Sequence, residues 1–170
     1  MTRPRIDKVV VNVSVGKSGE PLERAFKILE QISLQKPTYA KAKKTVKDWG
    51  IRQGEPISCI VTLRGEKATN FLKRALTTIN NRIPKSAFDE YGNFAFGIKE
   101  HIELPGTKYD PELGIIGMDV CVTLAKPGYR IKQRRVSPGR ISKTHRVTRE
   151  EAFQVMKETW GAEIVGEKTE

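Results

Sequence analysis

At 170 residues the chain suits one compact domain, or one domain with a tail, and can bury a core without a disulfide or metal staple. Its formal charge of +11, from 31 Lys+Arg against 20 Asp+Glu, sets a lone compact fold against itself and fits a chain that meets a polyanion. No apolar run approaches the roughly 20 residues of a membrane helix, and no signal-peptide or lipidation motif is visible, so the expectation is a soluble intracellular protein facing nucleic acid.

Residues 6–15 read as a strand, with Val9, Val11, Val13 and Val15 on one face and Lys8, Val10, Asn12 and Ser14 on the other. A turn over 16–21 leads to a predicted helix over 21–33, where Leu22, Phe26, Leu29 and Ile32 recur at helical spacing. Pro21 suits the first turn, and Glu23 favours the positive end of the helix dipole. Residues 44–64 read as a β-hairpin with a long tip over 47–54 that holds Trp49 beside two glycines. In its second strand Ile57, Cys59, Val61 and Leu63 alternate with Ser58, Ile60, Thr62 and Arg64. A second helix is predicted over 66–82, buried through Ala68, Phe71, Leu72, Ala75, Leu76 and Ile79. Residues 94–104 and 117–125 supply further strands around a Gly/Pro-rich loop. Cys59 and Cys121 both fall in alternating apolar runs and read as reduced core thiols.

After Pro127-Gly128 the alternation stops. Thr148 and Glu151 form a capping-box pattern that opens a short helix with Phe153, Met156 and Trp160 as its stripe. The sum is an α+β fold: a two-layer, mostly antiparallel β-sheet with amphipathic helices on one face, a long hairpin tip and a basic C-terminal tail. Its expected division is a core domain at 1–126 and a basic connector with a short helix at 127–170.

The charge is segregated. Residues 36–52 carry Lys36, Lys41, Lys43, Lys44, Lys47 and Arg52 against the single acid Asp48, and residues 126–149 carry nine basic residues and no acid. Between them, 86–119 hold seven acids and two lysines. A solvated surface mixes its signs, so two basic segments predict two polyanion-facing surfaces.

Other motifs weigh little. Gly16-Lys17-Ser18 lies between a strand and a helix, as in a phosphate-binding loop, but position 11 is Val where the earlier glycine would be needed. Phe94 and Phe96 alternate after Gly92 as a base-stacking strand would, yet acids crowd them and core packing is the better reading. His101 and His145 are isolated from any nucleophile at motif spacing, so no enzyme is predicted, and neither a metal nor a cofactor.

Several short runs resemble one family in order. They are 4–13, opening Pro4-Arg5-Ile6-Asp7-Lys8; Gln35-Lys36-Pro37; 41–46; 51–57; 61–66; and Phe88-Asp89 with Gly92-Asn93. Over roughly residues 3–126 the chain is similar to the universal large-subunit ribosomal protein numbered five, with a tail like the archaeal and eukaryotic form. The resemblance implies a cytoplasmic ribosomal protein whose sheet binds 5S rRNA in the central protuberance, with Asn12, Gln35 and Thr62 at the RNA. Asn12 and Thr62 also fall on the strand faces opposite the core rows, and Arg64 shares the face of Thr62. Such groups suit an A-form minor groove. Lys36, Lys41, Lys43 and Lys44 would add counterion-releasing charge, with Lys17 as a further phosphate contact.

The resemblance implies two contacts for the tip, the elbow of P-site tRNA and the small-subunit protein numbered thirteen at the inter-subunit bridge. Lys47, Trp49, Arg52 and Gln53 are the residues placed there. The connector, through Arg130, Lys132, Arg134, Arg135 and Arg140, is expected along large-subunit rRNA and disordered without it. The rival reading is a general RNA-binding or RNA-chaperone module with no fixed partner.

Overall fold

The computed structural model describes residues 3–107 and 109–166. In chain order the elements are β1 (Arg5–Ser14), α1 (Glu20–Ser33), β2 (Thr38–Lys41), β3 (Pro56–Leu63), α2 (Gly65–Thr78), β4 (Arg82–Pro84), β5 (Phe94–Ile98), β6 (Met118–Ala125), α3 (Arg130–Gln133), α4 (Arg149–Trp160) and β7 (Glu163–Val165). Five strands form one sheet in the order β2-β3-β1-β6-β5, and β4 pairs with β7 in a separate parallel ladder. The predicted class is borne out: α+β, with a mostly antiparallel sheet and amphipathic helices. The chain packs into two compact units, one of Val10–Leu63 with Gly97–Val120, the other of Arg64–Phe96 with the stretches up to Val9 and from Cys121 on.

In the first of these units the alternation of β1 buries Val11 and Val13, and that of β3 buries Cys59, Val61 and Leu63. Helix α1 packs on β3 and buries Leu22, Ala25, Ile28, Leu29 and Ile32. Each large apolar side chain among these contributes about 1.5–3 kcal/mol by leaving water. Phe26, expected in the core, is only half-buried and stacks on Tyr39 at 4.8 Å.

The hairpin differs from its expected outline. Its first strand is Thr38–Lys41, paired antiparallel with β3 as Thr38↔Ile60, Tyr39↔Cys59, Ala40↔Ser58 and Lys41↔Pro56. Pro56 has no N–H to give the ladder, so regular pairing ends there and the tip starts earlier than residue 47. The strand expected to reach residue 104 stops at Ile98, where the chain turns into a 3-10 turn at His101–Glu103. His101 is buried. Its Nδ1 accepts the Ile116 N–H at 3.3 Å, and burial holds its pKa below the ordinary histidine value.

In the other unit α2 buries Ala68, Phe71, Leu72, Ala75 and Leu76. It ends at Thr78 rather than residue 82, because Asn80 (φ 54°) and Asn81 (φ 56°) turn left-handed before β4. Asparagine tolerates that conformation better than most residues. Helix α4 has the predicted capping box, with the Thr148 hydroxyl accepting the Glu151 N–H and the Glu151 carboxylate accepting the Thr148 N–H. Its buried stripe is Ala152, Val155 and Met156. Phe153 instead meets Phe88 edge-on at 4.9 Å, and Trp160 is half-buried. The stripe is rotated because Ala152 and Val147 approach Gly92, where a Cβ would lie 2.7 Å from Val147 Cγ1 and 3.1 Å from Ala152 Cβ. Cys121, expected in the core, is exposed, since in β6 it alternates with the inward Val120 and Val122.

The basic connector also departs from expectation: it forms a closed excursion rather than an open tail. Tyr129 Oη accepts the Val147 N–H at 2.9 Å, and His145 Nε2 donates to Pro127 O at 2.8 Å. Gly139 N–H reaches Ile131 O at 3.1 Å inside the loop. Below the base, Lys126 is buried and its ammonium pairs with Glu151 at 2.7 Å and Arg146 O at 3.2 Å. One of the nine cations of this segment is therefore an internal anchor.

Candidate nucleic-acid interface

The face of the sheet turned away from α1 is polar and open. Asn12 and Ser14 occupy it on β1, Ser58, Ile60 and Thr62 on β3, and Thr38 and Ala40 opposite them on β2. Asn12 Nδ2 donates to Ser14 Oγ at 3.0 Å, while its Oδ1 is buried with no partner among the described residues. An acceptor left in that state costs free energy unless something donates to it.

The end of α1 delivers Gln35 to this face. Leu34 turns left-handed (φ 52°) and donates its N–H to Glu30 O at 3.0 Å, while the Ser33 hydroxyl lies 2.6 Å from Leu29 O and 2.9 Å from Gln35 O. For a leucine that backbone costs about 1–2 kcal/mol, and its side chain is 77% exposed, so nothing apolar offsets it locally. The turn lets Gln35 Nε2 donate to Thr62 O at 3.1 Å. Gln35, Lys36, Thr38, Ala40, Ile60 and Thr62 line a groove of about 380 Å³. The resemblance-derived pair Gln35 and Thr62 thus meet, and Asn12 lies on the same face of the sheet. The groove residues Thr38 and Ala40 were missed in the sequence because four residues of edge strand carry too little pattern.

Cations surround this face. Lys17, Lys36, Lys41, Lys43 and Lys44 make no ion pair among the described residues, and all but the half-buried Lys17 are exposed or nearly so. Arg64 is placed differently, with Nη1 3.1 Å from Asp7 Oδ1.

The tip is tightly knit. Val46 and Ile51 exchange backbone hydrogen bonds at 2.9 and 3.1 Å around a 3-10 turn at Lys47–Trp49, and Gly50 closes it left-handed at φ 67°. Gln53 N–H donates to Thr45 Oγ1 at 3.0 Å. Glu55 clasps the base by accepting the Ser18 hydroxyl on one oxygen and the Arg52 N–H on the other at 3.0 Å. The Ser18 hydroxyl and then the Arg52 amide hold this carboxyl below its usual pKa. Lys47, Arg52 and Gln53 are exposed, and Trp49 presents 73% of its surface to solvent.

In the other unit, Arg130, Lys132, Arg134, Arg135 and Arg140 all stand exposed on the closed excursion. Arg134 Nε donates to Ser137 O at 2.6 Å. Among the described residues no group of three or more His, Cys, Asp or Glu could hold a metal ion, and no helix is long and apolar enough to cross a membrane.

An α+β fold with a polar sheet face and a separate cationic loop defines a basic protein of the polyanion-binding class. Two family models match the chain, one described as ribosomal protein L5 over residues 1–52, the other as the C-terminus of that ribosomal family over residues 56–155. Relatives named large ribosomal subunit protein uL5 are similar over nearly the whole chain. That of Aeropyrum pernix is 54% identical, covering 97% of this chain and 86% of the relative. Those of Pyrobaculum aerophilum and Methanosphaera stadtmanae are 52% and 49% identical over 96% of this chain, and 92% and 98% of the relatives. The chain belongs to the ribosomal protein L5 family, a family of ribosomal structural proteins and not of enzymes.

Proposed function

We propose that this structural constituent of the large ribosomal subunit binds 5S rRNA through the open sheet face and attaches it to the central protuberance. The observation that carries the reading is the convergence of Asn12, Gln35 and Thr62 on one polar face, ringed by lysines without ion pairs among the described residues. Hydroxyl and amide groups of that kind recognise 2′-hydroxyls and phosphates across an A-form minor groove. The lysines supply the salt-dependent share of affinity.

Two further contacts belong to the same reading. The hairpin tip meets P-site tRNA and a small-subunit protein at the inter-subunit bridge, through Lys47, Trp49, Arg52 and Gln53. The loop bearing Arg130, Lys132, Arg134, Arg135 and Arg140 lies on large-subunit rRNA. The division into a 5S-binding core at 1–126 and a connector with helix at 127–170 is kept as part of this proposal.

A gel-shift titration at about 0.15 M salt, where exposed charges are substantially screened, tests the central claim. It compares 5S rRNA with a structured competitor RNA of equal length. A preference of tenfold or more, about 1.4 kcal/mol, supports a dedicated 5S binder. Equal affinity for both leaves only charge at work and transfers the chain to the chaperone class.

A further inference from the structure

The groove beside Gln35 is built for more than backbone contact. Its floor carries Ile60 and Ala40, while its walls carry the Gln35 amide and the Thr38 and Thr62 hydroxyls. Lys36 stands exposed at its mouth. The Gln35 amide spends one N–H on Thr62 O, which leaves its oxygen and second N–H for another molecule. Neither threonine hydroxyl has a hydrogen bond to another group among the described residues. A volume of about 380 Å³ lies near the lower end of the roughly 300–1,000 Å³ typical of small-ligand sites.

An aliphatic floor with amide and hydroxyl walls and one cation at the entrance is the chemistry of a heterocycle carried on a phosphate backbone. The ring face lies on carbon, its edge finds donors and acceptors, and the phosphate reaches the ammonium. A double helix hides its ring faces in the stack and cannot use such a floor, so the occupant is an unpaired residue. We infer that the groove takes one unstacked nucleobase of the bound RNA, so that the sheet reads an extrahelical base as well as duplex shape. This rests on the proposed 5S rRNA reading and deepens it. Leu34 then has a purpose, since its left-handed turn is what places Gln35 as the groove's end wall.

The test uses the full chain and 5S rRNA transcripts carrying 2-aminopurine at each unpaired position in turn. That base is dark when stacked and bright when it leaves the stack for an aliphatic surface. The expected result is one position that brightens on binding. Ala40→Ile fills the groove floor, suits a solvent-facing strand position, and leaves Gln35, Thr38 and Thr62 in place. It is expected to abolish the brightening and weaken 5S binding about tenfold, within the range measured for loss of one stacked base.

If no unpaired position brightens with the unsubstituted protein, the inference is overturned whatever the variant does. Unchanged affinity of a folded Ala40→Ile chain overturns it too. Unmodified 5S rRNA against the competitor RNA is the separate control. Loss of preference there overturns the 5S reading itself, whereas a retained preference with no bright position overturns only the base-binding groove.

Discussion

The ion pair of Lys126 with Glu151 supports a quantitative prediction. Lys126 keeps 5% of its side chain exposed and Glu151 keeps 36%, with a 2.7 Å contact between them. Breaking a buried pair from one side costs about 3–5 kcal/mol, because the remaining charge stays desolvated and alone. In Glu151→Gln the stranded group is the buried ammonium, left with Arg146 O at 3.2 Å. The partial exposure of Glu151 brings the expected loss down to about 2–3 kcal/mol. In Lys126→Met the stranded group is the carboxylate, which water can reach and which still accepts the Thr148 N–H, so about 1 kcal/mol is expected. The two losses should therefore differ, and the double variant should be no worse than Glu151→Gln alone. Urea unfolding of the four proteins measures this directly as a double-mutant cycle. A loss below about 0.5 kcal/mol for Glu151→Gln, or a larger one for Lys126→Met, would refute the desolvation argument, since surface pairs behave that way.

The remaining predictions concern separate places in the chain. Gly92→Ala should destabilise by about 1–3 kcal/mol, because its Cβ meets Val147 and Ala152 at a backbone φ of +72°, and denaturant titration would show it. Thr62→Val should lower 5S rRNA affinity by about 1–3 kcal/mol with an unchanged unfolding midpoint, whereas Lys43→Ala should lower the salt slope by about one for any RNA. Equal losses for Thr62→Val on 5S and on random RNA would remove that hydroxyl from the readout. Glu55 has a folded-state pKa below its unfolded value, so its contribution is present above the unfolded pKa of about 4.3 and lost as pH falls through the folded one. Amide exchange of Arg52 should therefore accelerate on acidification, and Glu55→Gln should flatten that dependence. Glu151 follows the same sign. Burial alone would raise its pKa, but the hydrogen bonds from Lys126 and Thr148 outweigh it and the net shift is downward. Helix α4 should therefore loosen on the acid side and not near neutrality.

What could be read from residues alone was whatever repeats at short range. The valines of β1, the Cys59-Val61-Leu63 row and the stripes of α1 and α2 carry their period within a few residues, and most of each appears where the pattern puts it. Strand β2 was displaced because Thr38–Lys41 is an edge segment whose one aromatic, Tyr39, packs on a helix rather than into an alternating row. The face of α4 was set by Gly92, some 60 residues earlier, which admits Ala152 where Phe153 had seemed the natural core residue. Lys126 counted as one more cation because its carboxylate lies 25 positions away, and His145 looked idle because its acceptor lies 18 away. At the proposed site, the strand faces of Asn12 and Thr62 were legible from alternation. Their meeting with Gln35 was not, because it depends on a left-handed leucine that no local preference favours.

The closed base of the basic excursion limits how far its arginines can travel. Nineteen residues, 128–146, lie between the pinned positions. Released at one end, such a stretch could extend about 60 Å, but tied at both it reaches at most about 30 Å from its anchor. The segment therefore behaves as a foot of fixed stride and not as a line cast into solution. It can stand only on a phosphate ridge that passes close beside Lys126, and an RNA whose ridge lies farther away would find the four arginines and Lys132 all present yet out of range.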